Sequence, residues 1–362
     1  MVYYMNGLEI DKMKSNNQKK LYIEVLRILA ILMVLYVHSG TRAAHYYTVE
    51  SGGISYYISI LLACVTKTCN MLFFMISGTL LLHKEESIRT IFVHRVLRMV
   101  LIILIFGLLQ YYLNYRANPA IGFSADVYFK IVYSSNIIEQ YWFLHAYLVF
   151  LLLLPFIRFI AKSMKQEHFL YLGGLYLLVE GILPMIERVW DNQRIALNIS
   201  LFAVEMLFPL TGYYLTKVYD FEGLEKKKKI RDLTVINVVG AIALLLCVRE
   251  TKILLETTNT LVVYNGLLFI MAVTIFMDIR YIFIQFKMPD ILSKIIVFIG
   301  SGVFGVYLME MELRTDFAFI YDAIQPRTNW LLATVVWLSV CVLVGSTVTG
   351  IVKKIPFIGK LF

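Results

Sequence analysis

Apolar runs of about twenty residues recur along the whole chain, and that repetition restricts it to one kind of solvent. Over 362 residues, ten such runs stand at approximately 21–39, 57–82, 91–114, 142–161, 168–186, 196–217, 231–248, 259–279, 292–312 and 330–352. Hydrophobic residues make up 59% of the chain and charged residues 16%, with a mean hydropathy of +0.73. Runs of this length and composition have no water-soluble fold to enter, so the solvent is a lipid bilayer. The expected fold is all-α: a polytopic bundle of about ten transmembrane helices over 21–352, with short tails at 1–20 and 353–362.

Orientation follows from lysine and arginine. With the N-terminus cytoplasmic, the inner segments hold 23 of these residues and the outer loops 9, and the imbalance holds loop by loop. Both termini are therefore expected in the cytoplasm. The net charge of +9 is then mostly a topology signal, and nucleic acid is not an expected partner. The basic stretch from Leu224 to Asp232 reads as a cytoplasmic stop between two spans. Lys12, Lys14, Lys19 and Lys20 precede the first run as in a signal peptide, with a weak small-residue site near Ala43. Cleavage there would remove the most distinctive residues of the chain, so a retained anchor is expected.

Several chemistries have no signature. Cys64, Cys69, Cys247 and Cys341 all fall in spans, form no CxxC pair and read as small hydrophobes. There is no Walker loop, dinucleotide glycine fingerprint or metal-type histidine cluster. No tightly bound cofactor and no metal are expected.

The intramembrane polar residues must therefore carry the function. The run Leu21 to His38 holds Glu24, Arg27 and His38 in otherwise apolar sequence. Eleven residues at about 100° each bring Arg27 and His38 to nearly the same helix face, roughly 16 Å apart along the axis. Glu24 and Arg27, three apart, are placed to pair. A second constellation, His94-Arg95-Val96-Leu97-Arg98, opens the third span. Arg95 and Arg98 lie one turn apart, so both guanidiniums can reach one anionic group; basic residues at that position also satisfy the positive-inside rule. Upstream, Ser77-Gly78 within Phe73 to Leu81 permits close helix approach. Lys67, Glu205, Glu310 and Glu312 lie in or at the ends of spans, where an ionisable side chain is expected to face the bundle interior.

In order, these motifs resemble the acyltransferase-3 family of integral membrane acyltransferases. The resemblance rests on the run from Glu24 to His38, the run from Phe73 to Leu81, and Arg95-Val96-Leu97-Arg98. Tyr141-Trp142-Phe143-Leu144 is similar to the family's W-F-L motif, and Gly305-Val306-Tyr307-Leu308 to its G-I-Y-L motif. The resemblance implies that Arg27 and His38 are an essential pair and that Arg95 and Arg98 belong to the family's RxxR motif. It also implies a multi-pass protein of the bacterial cytoplasmic membrane. Two departures stand out: Glu310 occupies a place where many members carry histidine, and His145 follows the W-F-L motif where histidine is unusual.

The implied function is transfer of an acyl group, with acetyl expected, from cytoplasmic acyl-CoA to a hydroxyl of a cell-surface or lipid-linked glycan. Surface-polysaccharide biosynthesis machinery is the expected setting. Ester formation from a thioester needs a base, and neutral imidazole suits that task, which points to His38. Arg95 and Arg98 are placed to hold CoA phosphates, and Arg27 either lines the route or stabilises developing charge. Glu310 can orient His38 if the ninth span packs beside the first. Either the pantetheine arm threads inward along the Arg27 face, or the acyl group passes through a covalent intermediate. The alternative function is a transporter or flippase of a lipid-linked glycan, which also needs many spans and buried charge.

Overall fold

The computed structural model describes residues 7–49, 52–134, 139–190, 199, 202–255, 264–356 and 358–361. Their helices are α1 (Gly7–Val37), α2 (Gly53–Thr66), α3 (Cys69–Leu81), α4 (Ile88–Ile91), α5 (Leu97–Ala117), α6 (Ala125–Tyr133), α7 (Trp142–Ser163) and α8 (Gln166–Leu177), followed by α9 (Leu183–Val189), α10 (Val204–Tyr213), α11 (Lys226–Leu255), α12 (Asn265–Gln285), α13 (Asp290–Leu308), α14 (Glu310–Asp316), α15 (Ala318–Ile324) and α16 (Trp330–Val352). No strand occurs among the described residues. The all-α expectation holds for the reason that restricts membrane folds generally: in hydrocarbon a helix satisfies its own backbone.

Among the described residues, eight helical stretches are long and apolar enough to cross a bilayer. The other two expected runs are α1, which carries Glu24 and Arg27, and α10 with the wide turn Tyr214–Val218 that follows it. The starts of the runs expected at 196 and 259 lie outside the described residues. Wide π-type turns also join α4 to α5 at Phe92–Val96 and α8 to α9 at Leu178–Ile182.

Two details within the expected spans are corrected, the spans themselves remaining. The run 57–82 is interrupted at Lys67-Thr68, where α2 gives way to α3, and Lys67 is exposed rather than turned into the bundle. The ninth run was expected to reach residue 312, but α13 ends at Leu308. Met309, with φ −111° and ψ 14°, bends the chain into α14. Glu310 and Glu312 therefore ride on a separate short helix. The sequence turns polar after Leu308, but a hydropathy window averages across that boundary and does not locate the bend within it.

The core is organised around α1, which packs on α3, α12 and α13. Close approach depends on small residues. A Cβ at Gly78 would lie 1.9 Å from the Pro209 carbonyl oxygen, and one at Gly212 would lie 2.0 Å from that of Met75, so α3 and α10 meet backbone to backbone. The Thr79 hydroxyl donates to the Gly212 carbonyl at 3.1 Å across the same seam.

Candidate active site

The first part of the site is a cavity of about 690 Å³ that follows the Arg27 face of α1. One end is basic: Arg27, Lys84, Arg95, Arg98 and Lys353 line it, together with His83 and His94. The middle is apolar, with Phe73, Phe143, Leu151 and Phe304 among the lining residues. Val34, Asn70 and Tyr307 mark its other reach, and Val34 lies one helical turn before His38 on α1.

The cations at the basic end are not equivalent. Arg95 is held in a fork by Glu86, with Nε to Oε2 at 3.1 Å and Nη2 to Oε1 at 2.6 Å. Glu86 also accepts from buried Arg158 at 2.7 Å, and Arg158 Nε donates to the Leu81 carbonyl at 3.0 Å. The charge of Arg95 is thus largely neutralised inside a network that fixes the connection between α3 and α4. Arg98 Nε donates to the Leu361 carbonyl at 3.0 Å. Arg27 donates to Glu24 at 2.7 Å, as its spacing suggested, while Glu24 Oε2 is buried without a hydrogen-bond partner. Lys353, outside the expected candidate set, donates to the Ser301 carbonyl at 2.7 Å. Burial, followed by the charges of Arg27 and Arg98, pushes the Lys353 ammonium below the usual lysine range. Those three cations therefore sit close enough to repel one another. Only a contact from the far end of the chain marks Lys353, and no local motif announces it.

The Glu86 network yields a pH expectation. Arg95 above all, and Arg158, hold its carboxyl down at about 2 against the opposing effect of burial. A depressed carboxylate contributes stability that is complete above its unfolded value of 4.5 and lost as pH falls through about 2. The contribution is on the order of 2–3 kcal/mol. Glu86→Gln is expected to lower the melting temperature of the detergent-solubilised protein at pH 7. It should also flatten the additional loss that the native protein shows below pH 4.5. Equal pH profiles for the two proteins would contradict this role.

The second part of the site lies beyond the C-terminal end of α1. His38 Nδ1 is 3.4 Å from Oε1 of Glu310, whose side chain is fully buried, while the imidazole keeps 25% exposure. Arg314 Nε donates to Glu310 Oε2 at 2.8 Å, and the same guanidinium donates to the His38 carbonyl. Burial alone would raise the Glu310 pKa, but His38 and Arg314 outweigh it and hold the carboxyl below its ordinary value. Carboxylate, guanidinium and imidazole thus form one charge-compensated unit. Arg314 was not singled out from the sequence; its i, i+4 spacing from Glu310 on α14 was the available signal.

The bend at Met309 that places Glu310 is held by two sequence motifs 167 residues apart. The Tyr141 hydroxyl donates to the Leu308 carbonyl at 2.9 Å, and the Tyr307 hydroxyl donates to the Gln140 carbonyl. Phe143 packs edge-on against Tyr307 at 5.7 Å. The start of α7 therefore fastens the end of α13.

The remaining candidates are dispersed. Lys67 lies exposed at the α2–α3 break, and Glu205 is half-buried on α10. His145 contacts the Tyr141 carbonyl at 3.2 Å and the Val132 carbonyl at 3.3 Å, which ties α6 to α7. Glu312 accepts from Gln110 Nε2 at 2.7 Å. Among the described residues no group of histidine, cysteine, aspartate and glutamate is arranged to hold a metal.

The bundle of apolar spans, with a cation-mouthed cavity and a half-buried histidine beside a buried carboxylate, is that of a multi-pass membrane protein. The chain belongs to the acyltransferase-3 family: the family's sequence model, described as an acyltransferase domain, matches residues 20–348. It is a membrane acyltransferase. No curated protein and no solved structure matches the chain.

Proposed function

We propose that the protein is a membrane-bound O-acyltransferase that moves an acyl group, with acetyl expected, from cytoplasmic acyl-CoA to a hydroxyl of a cell-surface or lipid-linked glycan. The observation that carries this reading is the shape of the cavity. Its cationic mouth suits the phosphates of CoA, its apolar bore suits the pantetheine arm, and its inner reach stops one turn from His38. That continuity favours threading of the donor thioester over relay through a covalent intermediate.

In this mechanism Glu310 faces His38 Nδ1 and keeps the proton there, which leaves the Nε2 lone pair to act as base. His38 removes the proton from the acceptor hydroxyl as its oxygen attacks the thioester carbonyl. The tetrahedral intermediate collapses with cleavage of the C–S bond, and the imidazolium returns its proton to the departing CoA thiolate. Arg27, roughly 16 Å along α1 from His38, is too distant to stabilise the oxyanion; it serves the donor's anionic end beside Arg98 and Lys353.

The most direct test is mass spectrometry of surface glycans from cells with and without this gene. Loss of an acyl group, together with transfer of label from radiolabelled acetyl-CoA by the purified protein, is the expected result. No CoA binding and unaltered glycan acylation would return the reading to transport. Orientation has its own test. In a background with the four buried cysteines replaced, single cysteines at exposed Thr41 and Ser124 should react with an impermeant thiol reagent in intact cells. Cysteines at exposed Ser87 and Glu225 should react only after permeabilisation. Labelling at position 87 in intact cells would put the basic mouth on the wrong side for cytoplasmic acyl-CoA.

A further inference from the structure

Buried polar atoms without partners are rare in folded proteins, because each costs about 1–3 kcal/mol, and those present call for an explanation. Two of them, Gln110 Oε1 and Glu312 Oε2, belong to one hydrogen-bonded pair close to the base. Gln110 stands on α5 near its far end and is only 2% exposed, although an amide has little reason to be buried in a lipid-facing helix. Its Nε2 donates to Glu312 Oε1 at 2.7 Å. A carboxylate offers no proton in return, so the amide nitrogen must face it and the amide oxygen is left over. Tyr141 lies against Gln110 and both glutamates, but its proton goes to the Leu308 carbonyl. The pair thus presents two unpartnered acceptor oxygens, while the second Nε2 hydrogen of Gln110 faces Tyr141.

Glu312 follows Glu310 by two residues on α14, and both carboxylates lie near the Tyr141 hydroxyl. Glu310 serves His38, where the reacting hydroxyl loses its proton. Glu312 and His38 each keep part of their surface exposed, while the two unpartnered oxygens face the interior. We propose that Gln110 and Glu312 form an acceptor subsite that binds a second hydroxyl of the polyhydroxylated acceptor, beside the hydroxyl activated at His38. Two unpartnered acceptor oxygens call for a hydroxyl donor, and the two carboxylates exclude an anionic group from that position. The chemical class is therefore a neutral sugar bearing a free hydroxyl near the acylated one. This inference rests on the acyltransferase reading and adds to it the residues that recognise the acceptor.

The test uses the full-length protein in detergent, radiolabelled acetyl-CoA and, as acceptor, washed membranes from cells lacking this gene. In Gln110→Leu/Glu312→Leu both partners become apolar, a change expected to be neutral or stabilising when the pair has no structural task. The amount of acceptor membrane giving half-maximal transfer should rise about 10–100-fold, the loss of one neutral and one charge-assisted hydrogen bond, while KM for acetyl-CoA and the melting temperature hold. Glu312→Gln, which differs by one atom and keeps the bond to Gln110, should raise it about 3–10-fold and covers the case in which the double variant does not fold. Unchanged acceptor saturation in folded variants would overturn the subsite, as would a fall in melting temperature with no split between donor and acceptor. No label transfer by the native protein would instead overturn the acyltransferase reading on which the subsite depends.

Discussion

His38→Ala is expected to lower acyl transfer by about 10²–10⁴-fold, the range over which a positioned general base contributes. The loss should appear in turnover with radiolabelled acetyl-CoA, while affinity for CoA is retained. The reason lies in the separation of the two halves of the site. In the proposed function the donor's charged end is held by Arg98, Lys353 and Arg27, which line the cavity, whereas His38 does not. Stability should change little, since His38 lies beyond the last residue of α1, keeps a quarter of its side chain exposed and leaves its carbonyl bond to Arg314 intact when truncated. Glu310→Gln should also cut turnover, by leaving Arg314 without its counter-charge and removing the carboxylate 3.4 Å from Nδ1. Full activity in well-folded His38→Ala would eliminate the proposed base.

Arg98→Ala and Lys353→Ala are each expected to weaken CoA binding about tenfold, and together about 100-fold if their contributions add, as measured by titration calorimetry on the solubilised protein. A tenfold change corresponds to about 1.4 kcal/mol, modest for a charge-assisted hydrogen bond to phosphate. Arg95→Ala should behave differently. Arg95 already holds Glu86 with both ends of its fork, so its removal should lower the melting temperature more than the CoA affinity. Relief of the crowding around Lys353 by an anion supports the same division of roles. A dominant effect at Arg95 with none at Lys353 would reverse the assignment.

Much of the architecture could be read before any coordinates. Membrane solvent follows from apolar runs, and helix follows from membrane solvent, because the backbone must satisfy itself within each segment. The pairing of Glu24 with Arg27 follows from a spacing of three on one helix, and the close seam at Gly78 from the absence of a side chain. These are local properties, set by neighbours a turn or two apart. The break at Lys67-Thr68 and the bend at Met309 escaped the same reading, because hydropathy averages over a window and does not register where a helix stops within it.

The site divides along the same line. Sequence by itself determined that an arginine of α1 and the histidine just past its end point to one side, and that two arginines stand a turn apart at the start of the third span, because helical periodicity dictates both. Tertiary structure decided which of those groups remain available. It joined Glu86 to Arg95 and brought Lys353 from the end of α16 to the mouth that Arg27 and Arg98 share. It carried Glu310 and Arg314 across more than 270 residues to His38, and placed Gln110 against Glu312. The physical reason is that helical period fixes the direction in which a side chain leaves its own helix. The group it meets there depends on which helices pack together, and in this bundle that is settled by contacts between small residues, motif tyrosines and backbone carbonyls far apart in the chain.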